Sequence, residues 1–332
     1  MTTHSLAEGA RRLVRCGGIQ PGEEVLIITD NRMDQTVVEA FAQTVRDEGG
    51  ELVVTTMDAR SGSGQEPPSQ VGSAMRGAKL AIELTSEFIH HSIARQSAQR
   101  AGLRYLFIGD IDREMLETQG AVYADFAEIA PRINRMSDEI TQGSSMRITS
   151  PGGTDMTFDL VGRNGRALTG LAHEPSQFGA PPCLEGGVIP KPGGSNGRVV
   201  VDAYCVGVGL IEEPIIVLVE DGRAVSINGG AEAQRLRELV EGARNDNAWN
   251  VSEVGIGFND TALLIDNVTS AESIYGTAHI ALGSTPADLD IEMISAGIHL
   301  DMVFHKPTIT VDDRLAMKDG EFRLEYEPAT MP

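Results

Sequence analysis

The sequence predicts an α/β fold in which an amino-terminal parallel-sheet α/β domain is followed by a β-rich α+β domain. Three observations carry this. A strand, helix, strand grammar repeats between Gly22 and Gly109. Near residue 145 the texture changes to short β-like runs cut by Gly and Pro. The length of 332 residues is long for one core and right for two. The expected division is therefore residues 1–145 and 146–332.

The first element is an amphipathic helix over Ala7 to Cys16, stopped by Gly17-Gly18. Pro21-Gly22 turns the chain into the apolar run Val25 to Thr29. A helical pattern follows from Gln35 to Glu48, Gly49-Gly50 ends it, and Leu52 to Thr56 reads as the next strand. The same order recurs with Leu80 to Leu84, a helix from Ser92 to Ala101, a stop at Gly102 and a strand from Arg104 to Ile108. Parallel pairing with helical crossovers is the economical way to join such units. Ser61 to Ser69 (SGSGQEPPS) reads as a surface loop between them. In the second domain the β-like runs are Met156 to Leu160, Val199 to Ala203, Ile215 to Val219, Ala224 to Asn228 and Thr261 to Ile265, with one helix over Ala231 to Ala243.

Composition removes several function classes. Hydrophobic residues make up 41% and charged residues 23%, as in a globular protein, and the net charge of −21 repels phosphate backbones and anionic lipid. Nucleic acid and membrane are thus not expected partners. Cys16, Cys183 and Cys205 lie far apart without C-x-x-C spacing, so neither a disulfide framework nor a thiolate zinc site is expected. Met1 to Arg15 lacks a basic-then-apolar leader pattern and no run of 18 apolar residues occurs, which points to a cytoplasmic protein. After Ile28 the chain reads Thr29-Asp30-Asn31-Arg32-Met33, with neither G-x-G-x-x-G nor a Walker lysine, so the first domain carries no nucleotide signature.

The chemistry concentrates in the second domain. In Ile298-His299-Leu300-Asp301-Met302-Val303-Phe304 the alternation projects His299 and Asp301 from one face of a strand. His279 sits in the apolar run Thr277 to Gly283, and Glu253 in the Gly-rich run Val251 to Gly257, where an unpaired charge is costly. Glu185, in Leu184-Glu185-Gly186-Gly187-Val188, is a further candidate. Carboxylates and imidazoles in apolar settings are tolerated around a bound ion. Mixed oxygen and nitrogen donors favour Zn, Co, Mn or Fe, as one or two divalent ions.

These segments resemble a known family, the thermophilic metallo-aminopeptidases of aminopeptidase T type and their shorter leucyl aminopeptidase-like relatives. The likeness runs through Ile19 to Ile27, Gly153-Thr154-Asp155, Leu184 to Pro190, Ser252 to Asn259, Gly276 to Gly283 and Ile298 to Asp301. It implies that Glu185, Glu253, His279, His299 and Asp301 are metal ligands, a pair of ions in the peptidases. It also implies that Glu253 or Glu185 shuttles a proton during hydrolysis of an amide or peptide-like bond by metal-activated water. The expected function is therefore an aminopeptidase-like metallohydrolase of a small molecule or short peptide, and the resemblance further implies a homo-oligomer. The chain departs from the peptidases where Ser284-Thr285-Pro286 replaces their tyrosine and Ala271-Glu272-Ser273 their Asp-Glu-Lys segment. The scaffold also resembles that of 2,5-dihydroxypyridine dioxygenase, a ring-opening non-haem iron enzyme. On that alternative His299, Asp301 and His279 or Glu253 would hold Fe(II), and the His90-His91 pair matches the region of a substrate-facing histidine, making His91 a catalytic candidate. Glu253 stands where that enzyme is expected to have a third histidine.

Overall fold

The computed structural model describes residues 4–62, 64–286, 291 and 293–324. The chain groups into two compact units, one built on residues 4–127 and 168–184, the other on residues 128–167, 185–286 and 293–324.

In the first unit the apolar runs become a parallel sheet. The strands β1 (Glu24–Asp30), β2 (Glu51–Met57), β3 (Leu80–Leu84) and β4 (Arg104–Phe107) lie in the order β2-β1-β3-β4, and the short strand Phe178–Gly179 pairs in parallel with β4. β3 is buried at every position and β1 at all but its first residue, as strands covered on both faces must be. β2 is the edge, with Val53 and Val54 exposed. α1 (Leu6–Arg15) precedes β1, and the crossover helices are α2 (Gln35–Asp47), α3 (Ser69–Gly77) and α4 (Ile93–Arg100). Ser5, Asp34 and Ser92 cap α1, α2 and α4 by accepting from backbone N–H groups of the first turn.

Two buried carboxylates hold the loops at the carboxyl ends of these strands. Asp30 Oδ2 accepts from Ser86 N at 2.7 Å and Ser86 Oγ at 2.9 Å, while Oδ1 accepts from Arg32 N. Glu83 accepts from Tyr105 Oη, Thr85 Oγ1 and Ile89 N, each at 2.7 Å. Burial pushes the Glu83 carboxyl above the ordinary glutamate range, against the opposite pull of these three donors.

The second unit is built on two sheets. An antiparallel eight-stranded sheet runs in the order Arg223–Asn228, Ile215–Glu220, Ser195–Val201, Asp155–Asp159, Ser145–Thr149, Thr308–Val311, Arg314–Lys318, Glu321–Phe322. A seven-stranded sheet runs Gly209–Leu210, Tyr204–Cys205, His299–His305, Thr277–Gly283, Val251–Gly257, Glu185–Val188, Gly165–Leu168. The fold class is the expected one, an α/β unit followed by a β-rich unit. The expected strand over Thr261 to Ile265 is not formed: Asn259 Oδ1 accepts from Thr261 N and Thr261 Oγ1, turning the chain, and Leu263, Leu264 and Ile265 stay exposed. The three cysteines are buried and form no disulfide among the described residues, and none of the described helices is long and apolar enough to cross a membrane.

The raised Glu83 pKa has a sign that can be checked. The fold binds the Glu83 proton more tightly than the unfolded chain does. Its contribution to stability is present below the ordinary glutamate range and is lost as pH rises through the folded value. Glu83→Gln is expected to remove that loss, so urea midpoints of wild type and variant should converge in acid and separate in the variant's favour as pH rises. Parallel curves would show that Glu83 titrates as it does in the unfolded chain.

Candidate metal centre

Four adjacent strands of the seven-stranded sheet carry the five expected ligands. Register places all five on one face. Glu253, Ala281 and Asp301 are directly opposite one another across three strands. Gly255 lies opposite His279 and Gly187, Gly257 opposite Glu185, and Gly283 opposite His299. Because side chains alternate along a strand, this face reads Glu, Gly, Gly on Val251–Gly257 and His, Ala, Gly on Thr277–Gly283. The opposite face holds Val254, Ile256, Ile280, Leu282, Met302 and Phe304, all buried. The small residues leave room for long polar side chains. A Cβ at Gly255 would come within 2.1 Å of His279 Cε1 and 2.3 Å of its Nε2. A bulge between Val251 and Glu253 shifts the register there and brings Glu253 into line with Ala281 and Asp301.

The polar atoms converge. His279 Nε2 lies 3.7 Å from both Glu185 Oε2 and Asp301 Oδ1, and His299 Nε2 lies 3.2 Å from Glu253 Oε2 and 3.3 Å from Asp301 Oδ1. Glu253, His279 and Asp301 each offer a donor atom within 4.8 Å of the others. Glu185, Glu253, His279 and Asp301 are buried, whereas His299 keeps 31% of its side chain accessible. Its Nδ1 meets the Ser284 carbonyl at 2.6 Å, the contact that fixes the tautomer of many metal-binding histidines and leaves Nε2 for the ion.

Electrostatics show a cluster short of positive charge. Burial pushes the Glu185 carboxyl up to about 7, with His279 pulling down and Glu253 pushing up. Burial would raise Asp301 too, but His299 beside it brings it to about 2. Glu253 is likewise held below its ordinary range despite burial, by Arg166 first and then His299. Burial alone would lower His299, yet Asp301 and Glu253 raise it well above the usual imidazole range. A proton on His299 thus does part of what a cation would do. Asp301 Oδ1 and His279 Nδ1 remain buried without a hydrogen bond among the described residues. Carboxylate and imidazole donors aimed at a common point, one of them a buried carboxylate oxygen that makes no hydrogen bond, fit one or two divalent ions.

The model of a known protein family, 2,5-dihydroxypyridine 5,6-dioxygenase (NicX), matches residues 5–324. The chain belongs to this dioxygenase family. Among solved structures, that of 2,5-dihydroxypyridine dioxygenase from Pseudomonas putida KT2440 is similar with a TM-score of 0.82 at 17% identity, covering 96% of this chain and 97% of that one. Wild-type AmpT from Thermus thermophilus is similar with a TM-score of 0.65 at 15% identity, covering 96% and 99%. At these identities each likeness shows the fold alone. Among curated proteins no sequence matches. Membership favours the ring-opening alternative over the aminopeptidase-like hydrolase as the expected chemistry.

His91, the remaining candidate, lies not with the five but in the first unit of this dioxygenase-family chain, on the loop after β3. Glu83 and Asp30 hold that loop from beneath. Arg95 Nε donates to His90 O at 2.6 Å and Gln96 Nε2 to His91 O at 3.2 Å. The buried His90 ring packs at 3.8 Å, centre to centre, on Phe107 and at 3.9 Å on His91. Sequence reasoning missed two charged groups at the metal centre. Arg166 pairs with Glu253. Glu272 is half-buried, and burial together with Asp301, Glu185 and Glu253 pushes it well above its ordinary range. Arg166 sits in a half-buried strand without apolar alternation, so no signal marks it. Glu272 is visible only as the glutamate of Ala271-Glu272-Ser273.

The lack of a side chain at Gly255 should matter as much as the ligands. Gly255→Ala is expected to weaken Co2+ binding by about tenfold or more, on the scale of displaced ligand supports, with unchanged far-UV circular dichroism. Unaltered affinity would show that His279 does not need that space. His299→Ala and Asp301→Ala should each lose bound metal with the first unit still folded. Full metal content on elemental analysis would refute their assignment as ligands.

Proposed function

We propose that this protein is a metal-dependent dioxygenase that opens the ring of 2,5-dihydroxypyridine or a closely related hydroxylated nitrogen heterocycle. Membership of the dioxygenase family over residues 5–324 is the observation that carries the reading. The donor set supports it: two imidazoles with carboxylates suit Fe(II), and the reading selects iron from the metals the donors admit. A bound Fe(II) would supply the one-electron chemistry by which O2 reacts with an electron-rich ring.

The chain's own residues then divide the work. His279, His299 and Asp301 would hold the ion, with His299 oriented by the Ser284 carbonyl. Glu253 stands between the imidazole of His299 and the guanidinium of Arg166, which keeps it ionised and fixed. Glu185 keeps the part expected of it, ligand or proton carrier. The accessible edge of His299 leaves that side of the centre open to a small ligand. His91 is proposed to take a proton from a ring hydroxyl, and the homo-oligomer implied by the family resemblance is part of the same proposal.

The deciding experiment loads anaerobically purified protein with Fe(II) and supplies 2,5-dihydroxypyridine while recording oxygen uptake. One O2 consumed per ring opened, with both atoms of labelled O2 in the product, is the expected result. Hydrolysis of a dipeptide panel without oxygen uptake would reverse the reading in favour of the hydrolase. His91→Ala is expected to lower turnover about 100-fold or more, within the range for loss of a general base, with iron content unchanged. Full turnover would remove His91 from the chemistry.

A further inference from the structure

The carboxylate cluster already contains a fixed cation. Arg166 lies on Gly165–Leu168, the edge strand beyond Glu185–Val188, and its Nη1 rests against Glu253 Oε1. Both side chains are largely withdrawn from water, at 15% and 7% accessible. The other oxygen of the same carboxylate, Oε2, faces His299 Nε2 at 3.2 Å. One oxygen of Glu253 is thus committed to a guanidinium and one is turned toward the ligand cluster.

That division bears on how many ions the centre takes. In two-metal sites the ions sit about 3.5–4 Å apart, and a carboxylate that bridges them gives one oxygen to each. Glu253 ends the row Glu253, Ala281, Asp301, and its strand lies between the strands that carry His279 and Glu185, as that of a bridging carboxylate would. Its Oε1 is occupied by Arg166. Charge points the same way. Glu185, Glu253 and Asp301 supply three negative charges when ionised, matched by one divalent ion and Arg166. Two divalent ions with Arg166 would bring five positive charges against those three, or against four with Glu272 counted as ionised. Unbalanced charge of either sign is costly where water is excluded.

We propose that Arg166 occupies the electrostatic place of a second ion and limits the centre to one divalent cation. The inference rests on the metal-centre reading but not on the class of reaction. Arg166 is in this sense a positioning residue: it acts through Glu253 and sets stoichiometry. Removing its charge should free Glu253 Oε1 and admit a second ion.

The test is a metal titration of the full-length apoprotein with Mn2+, read by calorimetry and by elemental analysis after desalting, with electron paramagnetic resonance on the loaded samples. Wild type is expected to bind one Mn2+ per chain and give the spectrum of an isolated ion. Arg166→Gln is expected to bind two and show spin coupling between them, and Arg166→Lys to stay at one. Two ions on wild type, or a single ion on Arg166→Gln, would overturn the proposal while leaving the metal centre itself in place. Absence of any bound ion on wild type would overturn both. Should Arg166→Gln fail to fold, wild type and Arg166→Lys still decide, because a second ion on either refutes the limit.

Discussion

Gathering three carboxylates and two imidazoles on one face of a sheet buried on both sides is stable only if positive charge is placed among them. Much of the second unit is arranged around that constraint. Glycine or alanine stands opposite each ligand, so that long polar side chains fit where an apolar layer would otherwise close over. The Ser284 carbonyl orients His299, and Arg166 neutralises one oxygen of Glu253. The opposite face of the same strands is wholly apolar and anchors the site to a core that cannot shift to relieve the charge.

The first unit uses buried carboxylates in the contrary way, and the contrast is informative. Glu83 has three donors for its two oxygens, and Asp30 is likewise met by backbone and hydroxyl groups. Such carboxylates are complete and serve as loop anchors. Asp301 is equally buried, yet its Oδ1 finds no hydrogen bond. Burial is common to both; an acceptor that faces only two imidazoles, at 3.3 and 3.7 Å, is what marks a place for an ion.

How much of this could be read from the letters follows from the same physics. β1, β3 and β4 were visible because parallel strands covered on both faces are near-continuous apolar runs. The five ligands were visible because a charged residue inside such a run asks for a partner. Arg166 was not, because Gly165–Leu168 is half-buried throughout and its pattern differs little from a loop. Thr261 to Ile265 looked like a strand by composition, but one side chain, Asn259, bends the chain there. The choice between hydrolysis and ring opening was not legible in the ligands, since the same imidazole and carboxylate donors serve both. It took the match of the whole chain to a family to weigh one above the other.

The bulge ahead of Glu253 carries a wider consequence. There the extra residue Ser252 lets Val251, opposite Leu282, and Glu253, opposite Ala281, meet consecutive partners although they are two apart in the chain. Loss of one residue at Ser252 would restore an even ladder with Glu253 still opposite Ala281, whereas loss of Ile256 would set Gly257 on the apolar side and break its pairing with Glu185. Tolerance of altered length is therefore set position by position within this one strand, and descent can trim the kink where it cannot trim the run that follows.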